Sequence, residues 1–218
     1  MIDKMITLEE VKKYQKGIRG PIGKLLDNIF RFVPFLAIKW NISANMVTVL
    51  ALVLDLIAVL FMFQGWFFFA GVLVLLSYVG DISDGTVARY ERVHRNLTKK
   101  GYGQFLDEVL GIIGFTAVVF ALGYTTGNEW LGFAAMLAIF MMNVTTAEAK
   151  LAIPSKKSIS AKLQNHRFKD KFQIGFTCDV QRTLIALAII TQSYLLLLLF
   201  TGLETLLWVS KFWMYRNQ

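Results

Sequence analysis

The sequence predicts an all-α integral membrane protein, in which six transmembrane helices form a bundle that follows an amphipathic surface helix. Of its 218 residues 56% are hydrophobic, and the mean hydropathy of +0.53 is too high for an ordinary soluble domain. The apolar residues fall into six blocks, each close to the roughly 20 residues that cross a bilayer. The predicted spans are residues 44–63, 66–89, 103–123, 130–149, 172–190 and 194–209.

Positively charged side chains lie on one side of these blocks only. Lysines and arginines crowd the segment before the first span, the second and fourth connections, and the tail. The first, third and fifth connections contain neither residue type. By the positive-inside rule both termini and the two basic loops are cytoplasmic, which requires an even number of spans. The net charge of +8 then fits contact with membrane lipid head groups and not with nucleic acid.

The segment before the first span has the pattern of a surface helix. Basic residues are mixed with apolar ones at positions 22, 25, 26, 29, 30 and 33, the spacing of one helical face. Pro21 is suited to the start of such a helix and Pro34 to its end. No repeat or low-complexity linker divides the chain, so we expect one domain over residues 1–218, with a juxtamembrane segment 1–43 and a bundle 44–211. The one cysteine, Cys178, excludes an internal disulfide.

Acidic side chains inside the predicted spans are the candidate functional residues, because a charge in hydrocarbon is costly. In the second span Asp81, Asp84, Gly85 and Ala88 follow at i, i+3, i+4 and i+7, on one stripe of the helix. Glycine and alanine beside the acids would let a bulky group approach the backbone. Asp107 lies at the same edge of the third span, which we expect to pack antiparallel beside the second.

Carboxylates that converge without basic partners need a cation. Oxygen-only ligands suit Mg²⁺ or Mn²⁺, whereas zinc would require histidine or cysteine. Such a metal beside basic loops would hold a phosphate or diphosphate. Two other interpretations of the same acids stay open here: a buried pair between Asp84 and Arg89, and the ion pathway of a cation transporter. The third span is almost wholly apolar after Glu108, which disfavours a continuous polar path.

The acidic residues belong to two longer runs, Asp81-x2-Asp84-Gly85-x2-Ala88-Arg89 and Gly103-x3-Asp107. Together the runs resemble the motif of the CDP-alcohol phosphotransferase family, which is D-x2-D-G-x2-A-R, a short loop, and then G-x3-D-x3-D. The first half is matched at every fixed position. Asn45 and Thr48, at the start of the first span, are similar to the family's Pro-Asn-x-x-Thr entry to its first helix, with Ala44 in place of the proline.

The resemblance implies a reaction and a role for each of these residues. Members transfer a substituted phosphoryl group from a CDP-linked donor to an alcohol and release CMP, and we expect a phospholipid-synthesis donor such as CDP-diacylglycerol. The family's acids hold two Mg²⁺ or Mn²⁺ ions against the diphosphate, a role that falls to Asp81, Asp84 and Asp107. It also implies a homodimer whose active site faces the cytoplasm. The role of CDP binding falls to Gly85, Ala88, Arg89, Gly103 and Asn45.

One position departs from the motif. Four residues after Asp107, where the family has an aspartate that ligates metal and takes the acceptor's proton, this sequence has Gly111. Three hypotheses follow. In the first, another acid takes over the role, and Glu108 is a better candidate than Asp55. In the second, the protein binds CDP substrates without turnover, and in the third the acceptor is pre-ionised or loses its proton through water. The loss of the fourth carboxylate would also weaken metal binding.

Arg182, in the fifth predicted span, is the one cation well inside an apolar segment. It is either a contact for the phosphate of an acceptor such as glycerol phosphate or inositol phosphate, or the partner of Asp179 three residues earlier on the same helix. The sequence leaves both interpretations open.

Overall fold

The computed structural model of the chain describes residues 7–15, 25–26, 28–94, 102–152 and 178–216. These residues contain helices, turns and no strand, which confirms the all-α prediction for this part of the chain. Two short helices, α1 (Leu8–Tyr14) and α2 (Phe32–Lys39), come first. The longer helices are α3 (Ala44–Phe63), α4 (Phe67–His94), α5 (Tyr102–Thr125), α6 (Glu129–Ala152), α7 (Cys178–Thr191) and α8 (Tyr194–Arg216).

The long helices have the size and composition of membrane spans. Among the described residues, five of them (α3, α4, α5, α6 and α8) are long and apolar enough to cross a bilayer. The protein is therefore an integral membrane protein. The fifth predicted span corresponds in part to α7, whose 14 residues extend about 21 Å. Residues 172–177 of that predicted span lie outside the described residues.

Local sequence signals place the helix ends. Ser43 is extended, and its Oγ accepts a hydrogen bond from the N–H of Met46 at 3.3 Å, which caps the start of α3. The turn between α3 and α4 passes through Gly65, whose φ of +77° is one that other residues adopt only with strain. Ser193 repeats the Ser43 arrangement before α8, where its Oγ accepts from the N–H of Leu196. The predicted breaks at 64–65 and 191–193 are thus close to the observed ones.

Three of the turns lie at one end of the bundle. The rings of Phe63 and Tyr124 are 5.7 Å apart, which brings the α3–α4 turn to the α5–α6 turn. Near the same end Gly71 of α4 lies against Ile190, at the end of α7. Exposed aromatic rings mark this end, as they commonly do where a membrane protein meets the polar interface. They are Trp66, Tyr124, Trp130 and Tyr194.

Helix α3 is the centre of the packing. It packs along both α4 and α5, while α4 also packs on α7, α5 on α6, and α6 on α8. Helices α4 and α5 touch at few positions, so the predicted side-by-side packing of the second and third spans is wrong for most of their length. Their acids can still meet because both helices lie against α3. Small buried residues such as Ala51 and Ala58 make this close packing possible.

The juxtamembrane segment differs from its prediction. Residues 25–26 and 28–29 are helical, but the chain turns at Phe30 and Arg31, and α2 begins at Phe32. Pro34 was expected to end a helix, and instead it lies in the first turn of α2. Proline fits there because the first N–H groups of a helix have no carbonyl partner within it. Pro21 lies outside the described residues.

The length of α4 sets the depth of the residues at its far end. Its 28 residues extend about 42 Å, whereas the hydrocarbon core is roughly 30 Å thick. At 1.5 Å per residue, Asp84 lies about 25 Å along α4 from Phe67. With Phe67 at the near edge of the hydrocarbon, Asp84 is close to the far edge. The last two turns of α4, with Arg89, Glu91 and Arg92, then extend beyond it.

Helices α5 and α6 meet at two glycines. A Cβ on Gly123 would lie 2.4 Å from the Cα of Gly132, so the two backbones touch without side chains between them. Such close contact between glycines is a common way to pair helices in a membrane, where dispersion forces must hold them together.

We therefore predict that Gly123→Ala lowers the melting temperature of the protein in detergent, since an overpacked contact typically costs about 1–3 kcal/mol. Gly202→Ala is the matched control on α8, because a Cβ there meets no atom within 4 Å. Thermal unfolding followed by tryptophan fluorescence measures both variants. Equal melting temperatures for the two would contradict the described α5–α6 contact.

Candidate active site

The acidic stripe predicted on α4 is present. Asp81, Asp84, Gly85 and Ala88 follow within one continuous helix, with Asp81 half-buried and Asp84 only 5% exposed. The helix continues without a break through Gly80 and Gly85 because α3 packs closely against it. The close packing is seen at Gly80, where a Cβ would be 3.1 Å from the Cβ of Ala51. The stripe is therefore held at a fixed position on α3.

Asp107 of α5 joins the two acids of α4. Its carboxylate is within hydrogen-bonding range of both Asp81 and Asp84. Three like-charged groups in one place at low dielectric repel one another strongly unless a proton or a cation lies among them. The convergence expected from the sequence is thus observed, although it comes from the shared packing on α3.

Thr48 of α3 holds Asp84 in place. Its Oγ1 donates to Oδ2 of Asp84 at 2.6 Å and lies 3.2 Å from the carbonyl oxygen of Ala44, one turn earlier. Both side chains are buried. This bond satisfies one carboxylate oxygen, and it links the polar start of α3 to the acidic stripe.

Gly111 is one turn after Asp107, and space is open beside it. A Cβ added to Gly111 would meet no atom within 4 Å. Glu108, which we expect to replace the missing acid, is exposed on α5, and its charge acts on Asp107. Alanine in place of Gly111 would therefore fit without moving its neighbours.

Asp55 and Arg182 form a buried ion pair. Nη1 of Arg182 donates to Oδ2 of Asp55 at 2.9 Å and to Oδ1 at 3.2 Å, and the side chains of Arg182 and Asp55 are 5% and 2% exposed. The guanidinium carbon also lies 4.3 Å from the centre of the Phe115 ring, in a cation–π contact. Gly114 makes room for the pair, because a Cβ there would be 2.6 Å from Oδ2 of Asp55.

This pair settles what Arg182 contacts inside the bundle. Two partners of Arg182 were considered from the sequence, the phosphate of an acceptor and Asp179. The side chain of Asp179 lies outside the described part of the chain. The observed partner, Asp55, is on a different helix and far away in sequence. A buried arginine requires a carboxylate, and Asp55 is the acid of the first span that the motif leaves unused. The pair could have been predicted from the sequence, because Asp55 and Arg182 are opposite charges that both lie inside apolar spans.

A cleft lies between the motif acids and this ion pair. Its empty space is about 220 Å³ when the open solvent at its mouth is counted. Helices α3, α4, α5 and α7 all contribute to its wall. Its polar lining comes from Thr48, Asp55, Ser77, Asp81 and Arg182, with the backbone of Gly111 on one side. Ser77 was not predicted from the sequence, since a serine in an apolar span is usually a packing residue.

Arg89 is turned toward the N-terminal helix. Its Nε donates to the backbone carbonyl of Tyr14 at 2.6 Å, and its Nη2 donates to Thr86. A Cβ on Gly85 would be 3.4 Å from Nη1 of Arg89, so the guanidinium lies over that glycine. The alternative pair between Asp84 and Arg89 is therefore not the arrangement found, because Asp84 bonds to Thr48 instead.

The N-terminal helix is docked firmly enough to hold this arginine. Val11 of α1 is fully buried, and Tyr14 contacts the rings of Tyr90 and His94 edge-on, at 5.4 and 5.8 Å between ring centres. A capping box between Thr7 and Glu10 starts α1. No helix was predicted from the sequence at residues 8–14.

The remaining predicted contacts surround the start of α3. Asn45 is exposed, and its Oδ1 would be 3.1 Å from a Cβ on Gly103, so the two residues are adjacent. Glu91 was not predicted from the sequence. Its Oε2 accepts a hydrogen bond at 3.4 Å from the backbone N–H of Ala44, the first residue of α3. A carboxylate at a helix N-terminus is favoured by the helix dipole. Ala88 packs beside this point.

The donor set fits a divalent cation in its chemistry. Asp107 lies within hydrogen-bonding range of Asp81 and Asp84, and carboxylates are oxygen ligands of the kind that Mg²⁺ and Mn²⁺ prefer. Among the described residues, no group of three or more Asp, Glu, His or Cys side chains is already arranged around one metal position.

A bundle of long apolar helices with converging acids on two of them defines the general class of this protein, a polytopic membrane protein with an acidic site. The chain matches the family model described as CDP-alcohol phosphatidyltransferase over residues 41–216, and it belongs to that family. The match covers most of the chain and includes every motif residue discussed above. The family transfers a phosphatidyl group from a CDP-alcohol and generally depends on divalent metals. No curated protein matches the chain.

The two glycines of α5 give a testable contrast. We predict that Gly114→Ala lowers the melting temperature, because its Cβ would displace Asp55 from Arg182 and leave buried charges imperfectly paired. Gly111→Ala should keep or raise the melting temperature, because its Cβ enters open space and alanine favours a helix over glycine by about 1 kcal/mol. Thermal unfolding of both variants in one detergent measures this. A loss in Gly111→Ala as large as in Gly114→Ala would be contrary to the described packing.

Proposed function

We propose that the protein transfers a phosphatidyl-type group from a CDP-linked lipid, such as CDP-diacylglycerol, to a small polar alcohol and releases CMP. The observation that carries the proposal is the convergence of Asp81, Asp84 and Asp107 at the membrane boundary, in a chain of this family. Acids at this depth are costly unless they bind cations, and a site at the boundary reaches a lipid tail and a water-soluble nucleotide together. Family membership also favours transfer chemistry over a cation transporter.

The proposed orientation puts this site on the cytoplasmic side, with six spans and both chain ends there. The aromatic turns at the opposite end of the bundle support it, because the sequence has no lysine or arginine in those three turns. The place of α7, which ends near the start of α4, supports its role as the outer part of the fifth predicted span, which brings the count to six. We take residues 44–211 as one bundle and the whole chain as one domain. The homodimer expected from the resemblance stays a prediction.

In this proposal Asp81, Asp84 and Asp107 hold divalent metal ions. When bound, the metal supplies positive charge that neutralises the diphosphate and stabilises the departing CMP. Thr48 keeps Asp84 turned toward the site, and the packing of α4 and α5 on α3 keeps the acids together. Gly85, Ala88, Gly103 and Asn45 line the approach for the nucleotide, with Arg89 as a charged contact for its phosphates.

The proton of the acceptor needs a base, and position 111 offers none. Glu108 is our preferred substitute, since it lies on α5 next to Asp107. Asp55 is less suited, because both of its oxygens already accept hydrogen bonds from Arg182 and protonation would break up that pair. The glycine also favours a second candidate function, in which the protein binds CDP-linked substrates and turns them over slowly or not at all.

Arg182 can contribute to acceptor binding only through groups that Asp55 does not use. Its charge is balanced by Asp55, so the guanidinium attracts an anionic phosphate less than an unpaired arginine would. We propose that Arg182 borders the acceptor's position and holds the wall of the cleft, while the basic cytoplasmic loops attract phosphorylated acceptors.

Donor binding tests the proposal independently of turnover. In detergent micelles, CDP-diacylglycerol with Mg²⁺ should raise the melting temperature, by an amount that corresponds to about 2.7 kcal/mol at a concentration 100 times Kd. EDTA should abolish the shift. We predict that Asp84→Asn removes most of the shift, whereas Glu129→Gln, an exposed acid at the other end of the bundle, leaves it unchanged. If wild-type protein shows no Mg²⁺-dependent shift with the CDP-lipid, the proposed function is wrong.

Turnover tests the role of position 111. We predict that Gly111→Asp increases CMP release by at least tenfold, because it restores a base and a fourth ligand at a position where a Cβ meets no atom within 4 Å. In wild-type protein Glu108→Gln should lower CMP release by a similar factor. The measurement is the formation of radiolabelled CMP from CDP-diacylglycerol with each of several alcohols. Strong wild-type activity that survives Glu108→Gln would show that another group takes the proton.

A further inference from the structure

The hydroxyl group of Ser77 is buried without a partner. Ser77 is on α4, one turn before Asp81, and it is 1% exposed. Among the described residues, its Oγ is the one buried side-chain nitrogen or oxygen that makes no hydrogen bond. A buried polar atom in this state costs about 1–3 kcal/mol, so a native fold that keeps one generally uses it.

Other buried hydroxyls of the bundle are satisfied by their own helix. In apolar surroundings serine and threonine normally donate to the carbonyl oxygen four residues earlier. Ser83 does so on the same helix, to Val79 at 2.7 Å, and Thr201 does so on α8, to Leu197 at 2.8 Å. Ser77 has the same opportunity on a regular helix and does not take it. Its hydroxyl is therefore available to a group in the cleft.

The cleft beside Ser77 suits a small uncharged polar group. It has room for a group the size of a water molecule or a hydroxyl. Asp55 and Arg182 on its wall neutralise each other, so this pair offers an anion no net positive charge. A hydroxyl group could donate to a carboxylate and accept from Ser77. Gly111 borders the same space from α5.

We infer that this cleft receives a hydroxyl group of the acceptor alcohol and that Ser77 is its hydrogen-bond partner. The inference rests on the proposed function and identifies the part of the acceptor that the protein recognises: an uncharged hydroxyl, one helical turn from Asp81. Ser77 is a binding residue that selects for a hydroxyl and places it beside the acids that are proposed to hold the donor.

The test compares alcohols with analogues that lack their free hydroxyls. Binding of sn-glycerol 3-phosphate and of n-propyl phosphate is measured by calorimetry on the full chain with Mg²⁺ and CMP bound, and so is the pair of myo-inositol 1-phosphate and cyclohexyl phosphate. Wild-type protein should bind the alcohol of at least one pair more tightly. In Ser77→Ala the Kd of that alcohol should rise about two- to tenfold, the worth of one neutral hydrogen bond, and its analogue should be unaffected.

Thr201→Val is the matched control, since it removes a buried hydroxyl that is already satisfied and lies outside the cleft. It should leave all these Kd values unchanged. Ser77→Ala without ligands should melt no lower than wild-type protein, because no protein bond is lost. The Kd of CMP with Mg²⁺ should also stay unchanged in Ser77→Ala, which separates this test from the test of donor binding.

Three results would overturn the inference. The first is an alcohol Kd that does not change in Ser77→Ala. The second is an equal weakening of CMP, the alcohol and its analogue, which would mean that Ser77 supports Asp81 and does not contact the acceptor. The third is a wild-type protein that prefers neither alcohol to its analogue. Failure of CMP and Mg²⁺ to bind to wild-type protein would instead overturn the proposed function, on which the inference rests.

Discussion

The cost of placing charge in hydrocarbon controls the arrangement of this protein. Every buried acid in its central helices has a defined compensation: Asp55 has Arg182, and Asp84 has Thr48. Asp81, Asp84 and Asp107 also converge at one position, where their mutual repulsion is strong unless a cation or proton joins them. Helix α3 makes both arrangements possible, because it contacts α4 and α5 and carries Thr48 and Asp55 one above the other.

Much of the fold could be predicted because a membrane restricts the choices. Apolar length and basic loops placed α3 and the turns close to where they are observed. The motif acids were also found, since charge in an apolar helix is conspicuous. Contacts between helices could not be derived in the same way: α4 and α5 are adjacent in sequence but pack on α3, a choice decided by the shapes of small residues such as Gly80 and Ala51. The absent hydrogen bond of Ser77 has no sequence signal at all.

Gly111 and Gly114 show how one helix can treat two glycines differently. At Gly114 the missing Cβ is filled by the carboxylate of Asp55, so glycine is required by packing. At Gly111 nothing takes the place of the missing side chain, so packing gives no reason for glycine there. A functional or evolutionary reason is then the natural one to seek, either a lost catalytic acid or a space kept for a ligand.

The bond from Arg89 to the carbonyl of Tyr14 has a practical consequence for work with the purified protein. The arginine of the motif is held by α1, and that helix is seated through Val11 and Tyr14. An affinity tag or fluorescent fusion attached directly before α1 would pull on this seven-residue helix. Comparing such a fusion with the untagged protein would report how tightly α1 and the motif are connected.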